Sequence, residues 1–300
     1  MSIRLTQDEI VLKVFNNNIV LVNSKENEKI LFAKGIGFAK KSGQVIEKGT
    51  EVDKIFTIQE EDNRKNFNNI LGIVDNDFFA MCEEAIFEVS KLVNKELNEN
   101  IHISLIDHLY FAVKRMKTSE VIENPFLIEI ETLYGTEFNL AKMIANRVSD
   151  YEKIYIPDDE VGFIALHIHS ALNDGALSNT LRTNYLGNTI VEYVEDELDM
   201  EIDRKSLDYA RFLTHIKFAV QRILSGEQAN NKIGELVKET YKESYKIAEE
   251  VAKIIGDELK VDVKDDEVTF LTIHIERFRE SLKFNWFKHL HVKKSMLLYK

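Results

Sequence analysis

Cysteine is almost absent from this chain, with Cys82 the single one. One thiol cannot close an intrachain disulfide, which suits a reducing compartment. Cys82 falls among Phe78, Met81, Ala85 and Ile86 at helical spacing and reads as a small buried apolar residue. Proline is nearly as scarce, two in 300 residues; because proline disrupts helix interiors, its rarity suits a mainly helical chain. No run of 18 apolar residues occurs, and the N-terminus lacks a basic-then-apolar segment. A membrane span and a secretory signal are therefore not expected, and the chain reads as cytoplasmic. Glycine-rich phosphate loops are missing too, as is any serine, threonine or cysteine repeated beside a histidine. These absences speak against nucleotide hydrolysis and nucleophilic catalysis.

What is present is an ordinary globular composition, 44% hydrophobic and 30% charged, long enough for two or three compact domains. The net charge of −12 is unevenly spread: residues 1–60 balance at +1 and the remainder at −13. A polyanion such as nucleic acid is repelled by the large part and tolerated only by the small one.

Most of Asp158-Asp159-Glu160-Val161-Gly162-Phe163-Ile164-Ala165-Leu166-His167-Ile168-His169 recurs from Asp265 to Glu276, which places His274 where His167 stood. At the same offset Asp107–Met116 becomes Thr214–Ile223, so His108 matches His215 and Arg115 matches Arg222. Tyr134 and Tyr241, and Ala141 and Ala248, keep the spacing. Two independent matches at one offset indicate a tandem duplication. Around them the apolar period is helical: Phe78, Met81, Ala85 and Val89 mark one face, Leu109, Ala112, Val113 and Met116 another. Pro157 and the acidic residues after it suit a helix start before His167.

A single histidine on an apolar helix is ordinarily a satisfied core or surface residue. Here two per copy recur, His108/His167 and His215/His274, with the same separation in each pair. A metal site would need converging carboxylates such as Asp107 or Glu160, and the second copy has Thr214 for Asp107; no metal and no other cofactor is expected. What remains is chemistry using one imidazole at a time. Neutral imidazole is a good nucleophile near pH 7 and can accept a phosphoryl group, whose charge of about −1.5 to −2 reorganises an interface. Arg115 and Arg222 lie two helical turns beyond His108 and His215. They either hold a phosphoryl group, with Asp107 as further support of that site, or pair with the acidic surface.

Residues 10–58 read as strands. Ile10–Phe15 and Ile19–Val22 flank Asn16-Asn17-Asn18, a hairpin signal because asparagine tolerates turn conformations. Lys29–Ala33 and Val52–Ile58 follow as strands, Glu60–Asn66 as a polar linker. Between the strands lies Lys34-Gly35-Ile36-Gly37-Phe38, then Lys40-Lys41. Asparagine can address base edges, a phenylalanine can stack a base, and lysines meet phosphates; equally, the two stretches can be plain β-turns with a buried phenylalanine. A sheet this small buries little surface, so dimerisation is expected. The fold class is thus multidomain: a small N-terminal antiparallel β domain (1–60), two homologous all-α bundles (67–174 and 175–283) and an unassigned tail (284–300).

With Lys34-Gly35-Ile36-Gly37-Phe38, the histidine motif ending at His108, and Gly162–His169, the chain resembles the BglG/SacY-type transcriptional antiterminators over residues 10 to about 280. The wording leans to their glucose-responsive branch. The resemblance implies a homodimer with an RNA-binding co-antiterminator domain and two phosphotransferase-system regulation domains. Its RNA hairpin lies in the leader of a sugar operon and excludes an overlapping terminator. It further implies that a sugar-specific enzyme IIB phosphorylates His108 and His167 to inactivate, and that HPr phosphorylates His215 and His274 to activate. Asn18, Lys34, Gly35 and Phe38 fall on family RNA contacts, with Lys13 joining them; Lys34 replaces an arginine of several relatives and Ala33 a glycine. Two rivals are a DNA-binding activator carrying the same regulatory modules, which needs an N-terminal helix-turn-helix, and a metal-dependent hydrolase, which needs a stoichiometric metal.

Overall fold

The computed structural model describes residues 2–24, 27–173, 177–226 and 233–297, with side chains beyond Ser281 outside the description. The chain forms two compact units. The first begins with strands β1 (Ile3–Arg4), β2 (Glu9–Asn16), β3 (Ile19–Ser24), β4 (Asn27–Phe32), β5 (Val45–Ile46), β6 (Glu51–Val52) and β7 (Lys54–Ile58). Five of them make an antiparallel sheet in the order β5-β2-β3-β4-β7, and β1 pairs with β6.

Alternation along the strands separates two faces. One gathers Leu5, Val11, Val20, Val22, Leu31, Ile46 and Val52 into a small core. The other meets helices of the same unit, α1 (Glu61–Ile73) and α2 (Asn76–Val93). Phe15 stacks on Phe79 with centroids 4.4 Å apart, and Phe32 on Phe87 at 4.8 Å. Each such ring buried from water contributes roughly 1.5–3 kcal/mol, so part of the surface this small sheet must bury is covered by its own chain.

The expected polar linker at 60–66 is instead the start of α1. Glu61 and Asp62 occupy its first turn, and Phe67 and Ile70 supply the apolar spacing that buries it. Acidic residues near a helix N-terminus favour the peptide dipoles, and a window ending at residue 66 stops short of that apolar pair.

The duplication is visible in the backbone. After these come α3 (Ile101–Lys117), α4 (Leu127–Leu133), α5 (Gly135–Glu152) and α6 (Asp158–Leu172), all in the first unit except α4, which beyond Leu127 belongs to the second. After α7 (Leu177–Leu198) come α8 (Leu207–Ser225), α9 (Gly234–Thr240), α10 (Lys242–Leu259) and α11 (Asp265–Leu297). The starts of α9, α10 and α11 follow those of α4, α5 and α6 by the offset that carries His167 onto His274. Lys153 and Lys260, related by the same offset, both end their helices in the left-handed conformation. The second unit holds residues 181–300 together with Ile128–Leu133; its core runs through Ile190, Val194, Tyr209, Leu213, Ile216, Val251, Ile255, Leu271 and Ile275. The backbone of the tail from 284 continues α11 as far as Leu297.

Candidate functional site

In the first helical module α3 carries His108 and α6 carries His167, and their rings stand 5.2 Å apart. His167 is buried, with Nδ1 3.1 Å from Ser104 Oγ. His108 Nε2 lies 3.1 Å from Glu160 Oε2, within ion-pair range though off the line of a hydrogen bond. The other oxygen of that carboxylate accepts a hydrogen bond from Arg115 Nη2 at 2.9 Å. Glu160 is 2% exposed. Burial works to raise its carboxyl, but the contacts and charges of His108 and Arg115 outweigh burial and hold it below the usual range. Arg115 is therefore an ion-pair partner of Glu160. Asp107 makes no hydrogen bond or ion pair with either histidine among the described residues.

The second module repeats the frame with different spacing. His215 on α8 and His274 on α11 stack with centroids 3.6 Å apart, and Phe270 meets His274 edge-on at 4.3 Å. Arg222 donates two hydrogen bonds to Glu267, at 3.0 and 2.8 Å, and its guanidinium lies 4.1 Å from the Phe270 centroid. Both carboxylate oxygens are thereby taken by arginine, whereas in the first module one of them faces a histidine. A cavity of about 160 Å³ opens beside the stacked pair.

Burial, then the charge of His108, pushes His167 down to about 3. His274 falls to about 4 through burial, then His215, Arg277 and Arg222; His215 is lowered by burial, Arg277 and Arg222. These three imidazoles are neutral near pH 7, the nucleophilic state. No group of three or more histidine, cysteine or acidic side chains among the described residues is arranged to hold a metal ion. Two further histidines serve packing. His102 Nδ1 is 2.9 Å from Glu83, fully buried, with Tyr209 at its second-copy position. His169 Nδ1 is 2.8 Å from Glu137, a pair the second copy replaces by Ser244 donating to Glu276 at 2.5 Å. Glu160, expected only as a candidate metal carboxylate, and Glu267, not singled out from the sequence, carry a signal that could have found them: both recur at the common offset, each the same distance before His167 and His274.

In the N-terminal domain the asparagine hairpin and the glycine loop form one surface. Asn16 Oδ1 accepts from the backbone N–H groups of Asn18 and Ile19, closing the turn. Asn18 Oδ1 accepts from Gly35 N at 3.0 Å, and Gly37 N donates to Asn17 O at 2.9 Å, tying loop to turn. Gly35 has φ +77°, and a Cβ at Gly37 would stand 2.2 Å from Asn16 O, so both positions require glycine. Anchored by buried Ile36, the loop exposes Lys34 and turns Phe38 out to 71% exposure; it is not the buried phenylalanine that a plain turn would hold. Lys13 lies apart from this platform, its Nζ donating to Leu71 O at 3.3 Å, where burial lowers its ammonium. One wall beside the platform is acidic: Asn16 Nδ2 donates to Glu84 Oε1 at 2.9 Å, and Arg147 pairs with Glu84 and Glu88.

The description "CAT RNA binding domain" matches residues 10–65, and "PRD domain" matches residues 83–171 and 188–278. Protein GlcT of Staphylococcus saprophyticus is 33% identical over 278 residues, covering 92% of this chain and 99% of its own. The GlcA/glcB genes antiterminator of Staphylococcus carnosus is 31% identical over 280 residues, covering 92% and 98%. A crystal structure of GlcT CAT-PRDI shares 41% identity over 55% of this chain and 98% of its own, with a TM-score of 0.47. The chain, an RNA-binding domain followed by two PRD domains, belongs to the BglG/SacY-type antiterminator family, in its glucose branch.

Proposed function

We propose that this protein is a transcriptional antiterminator of a sugar operon whose activity is set by histidine phosphorylation. The observation that carries the RNA half is the platform of Asn18, Lys34, Gly35 and Phe38: an exposed amide, a cation, a backbone free to approach closely and an unpaired aromatic ring. Such a set stacks an unpaired base and meets phosphate. Residues 1–60 act as a homodimer on a leader hairpin; Lys13 reaches RNA only after leaving Leu71. No described helix is long and apolar enough to cross a membrane, and binding of a nascent transcript suits a cytoplasmic protein. The protein is a regulator, and its histidines are acceptors of phosphoryl groups.

Transfer needs a neutral imidazole nitrogen to attack the phosphorus of a phosphohistidine carrier, HPr, or of a phosphocysteine on a sugar-specific enzyme IIB. A P–N bond forms as the donor's P–N or P–S bond breaks, and the donor leaves with its electron pair. In the first module (67–174) a phosphoryl group on His108 sets its negative charge against Glu160, 3.1 Å from Nε2. That repulsion disrupts the Glu160–Arg115 pair, which supports an inactivating role for His108 and His167. In the second module (175–283) Glu267 is neutralised by Arg222, so phosphorylation of His215 or His274 meets less opposition and suits activation. A gel-shift of residues 1–60 with a leader-type RNA hairpin and the matching duplex DNA, at two salt concentrations, tests the RNA half. Selective RNA binding is expected; DNA preference, or no binding, overturns it.

A further inference from the structure

The offset that carries His167 onto His274 also carries Ser104 onto Arg211 and Ser170 onto Arg277. The exchange changes the site. In the first module Ser104 Oγ lies against His167 Nδ1, and His167 and Ser170 are buried. In the second, the two arginines line the open cavity beside the stacked imidazoles, together with Phe212 and Ser281.

Their charge is not spent elsewhere. Arg222 is neutralised by Glu267. Among the described residues Arg211 has only an exposed contact of 3.8 Å with Asp208 one turn away, which also lines the cavity; such surface pairs contribute little. Arg277 has no carboxylate within ion-pair distance among the described residues. The cavity of about 160 Å³, lined by both arginines and both rings, is well above the roughly 10–15 Å³ that holds one water, so it has room for a tetrahedral dianion. Arginine presents paired N–H donors that match phosphate oxygens.

We propose that Arg211 and Arg277 build a phosphate site over His215 and His274 that the first module lacks, and that this site receives the transferred phosphoryl group. The assignment rests on the phosphoryl-acceptor reading for its role in transfer, but the anion site itself does not. The same chemistry takes free inorganic phosphate or the phosphoryl group on a donor protein, and the two arms of the test separate them.

In the first arm, inorganic phosphate is titrated into the full chain at constant ionic strength while the ring signals of all four histidines are followed by NMR. Saturable shifts at His215 and His274, with His108 and His167 unmoved, are expected. In R211S/R277S, which installs the first module's residues at both positions, the apparent affinity falls at least tenfold; R211K/R277K keeps part of it. Equal shifts in both modules, none in either, or an unchanged double variant overturn the site. In the second arm, the phosphohistidine carrier labels the full chain and, in a separate reaction, the phosphorylated enzyme IIB labels its first module. Labelling of the second module by the carrier at least tenfold slower in R211S/R277S, with first-module labelling by enzyme IIB unchanged, is expected, and an unchanged carrier rate overturns the role in transfer. Saturable phosphate binding with no labelling of wild-type His215 or His274 overturns both that role and the acceptor reading and leaves the anion site standing.

Discussion

The two histidine pairs occupy equivalent places on duplicated helices, yet the first holds a buried carboxylate against one ring while the second stands beside a cavity lined by arginines. In the first, Glu160 divides its oxygens between His108 and Arg115; in the second, Glu267 gives both to Arg222. On the proposed reading, a buried carboxylate 3.1 Å from His108 makes a phosphoryl group added there a disruption, whereas arginines beside His215 and His274 make the same group a ligand. Two copies of one scaffold can therefore answer one modification in opposite directions, because the sign of the neighbouring charge decides.

The largest effect is expected from His108→Ala. Antitermination of a reporter in cells without sugar should rise to the induced level, while His215→Ala should not raise it; sugar dependence persisting unchanged in H108A would break the comparison.

Acid comes next. His167 titrates at about 3 in the folded chain and near 6.5 unfolded, so the unfolded state takes up the proton first. The neutral ring's stability is present above about pH 6.5 and is lost as pH falls toward 3, on the order of a few kcal/mol. Glu160, held low, loses its contribution in the same direction below the usual carboxylate range. His274, titrating at about 4 and partly in contact with water, should lose less. Thermal unfolding from pH 7.5 to 4, followed by separate probes in each module, should show the first module losing more.

Breaking the carboxylates sharpens the same contrast. Removing one partner of a buried ion pair costs about 3–5 kcal/mol, reduced here because both arginines are about a quarter exposed. Glu267→Ala should destabilise more than Glu160→Ala, since it strands an arginine that loses two hydrogen bonds rather than one. Urea unfolding midpoints decide the order, and a larger loss for E160A would contradict it.

The smallest effect leaves both modules untouched. Phe38→Ala should weaken hairpin binding by about 1–3 kcal/mol, the worth of one base stacked on an aromatic ring, with thermal stability unchanged because the ring is exposed. Lys34→Ala should lower the salt dependence of binding by about one counterion. A shifted melting temperature in F38A would place the ring in the fold.

The duplication, the hairpin at Asn16–Asn18 and the start of α6 after Pro157 were legible because each is written within a short window or a fixed offset. The sequence by itself also determined which four histidines recur, and through them the family. Other features were not legible. α1 begins in a polar stretch and is buried only through Phe67 and Ile70. Lys13 is basic and on a strand, but its Nζ is drawn to the Leu71 carbonyl on α1. Arg115 and Arg222 left two readings open, and both turned to buried glutamates brought by another helix. Only the tertiary structure decided these, because periodicity and turn chemistry act between neighbours in the chain, whereas a side chain's charge partner is set by packing between helices far apart in sequence.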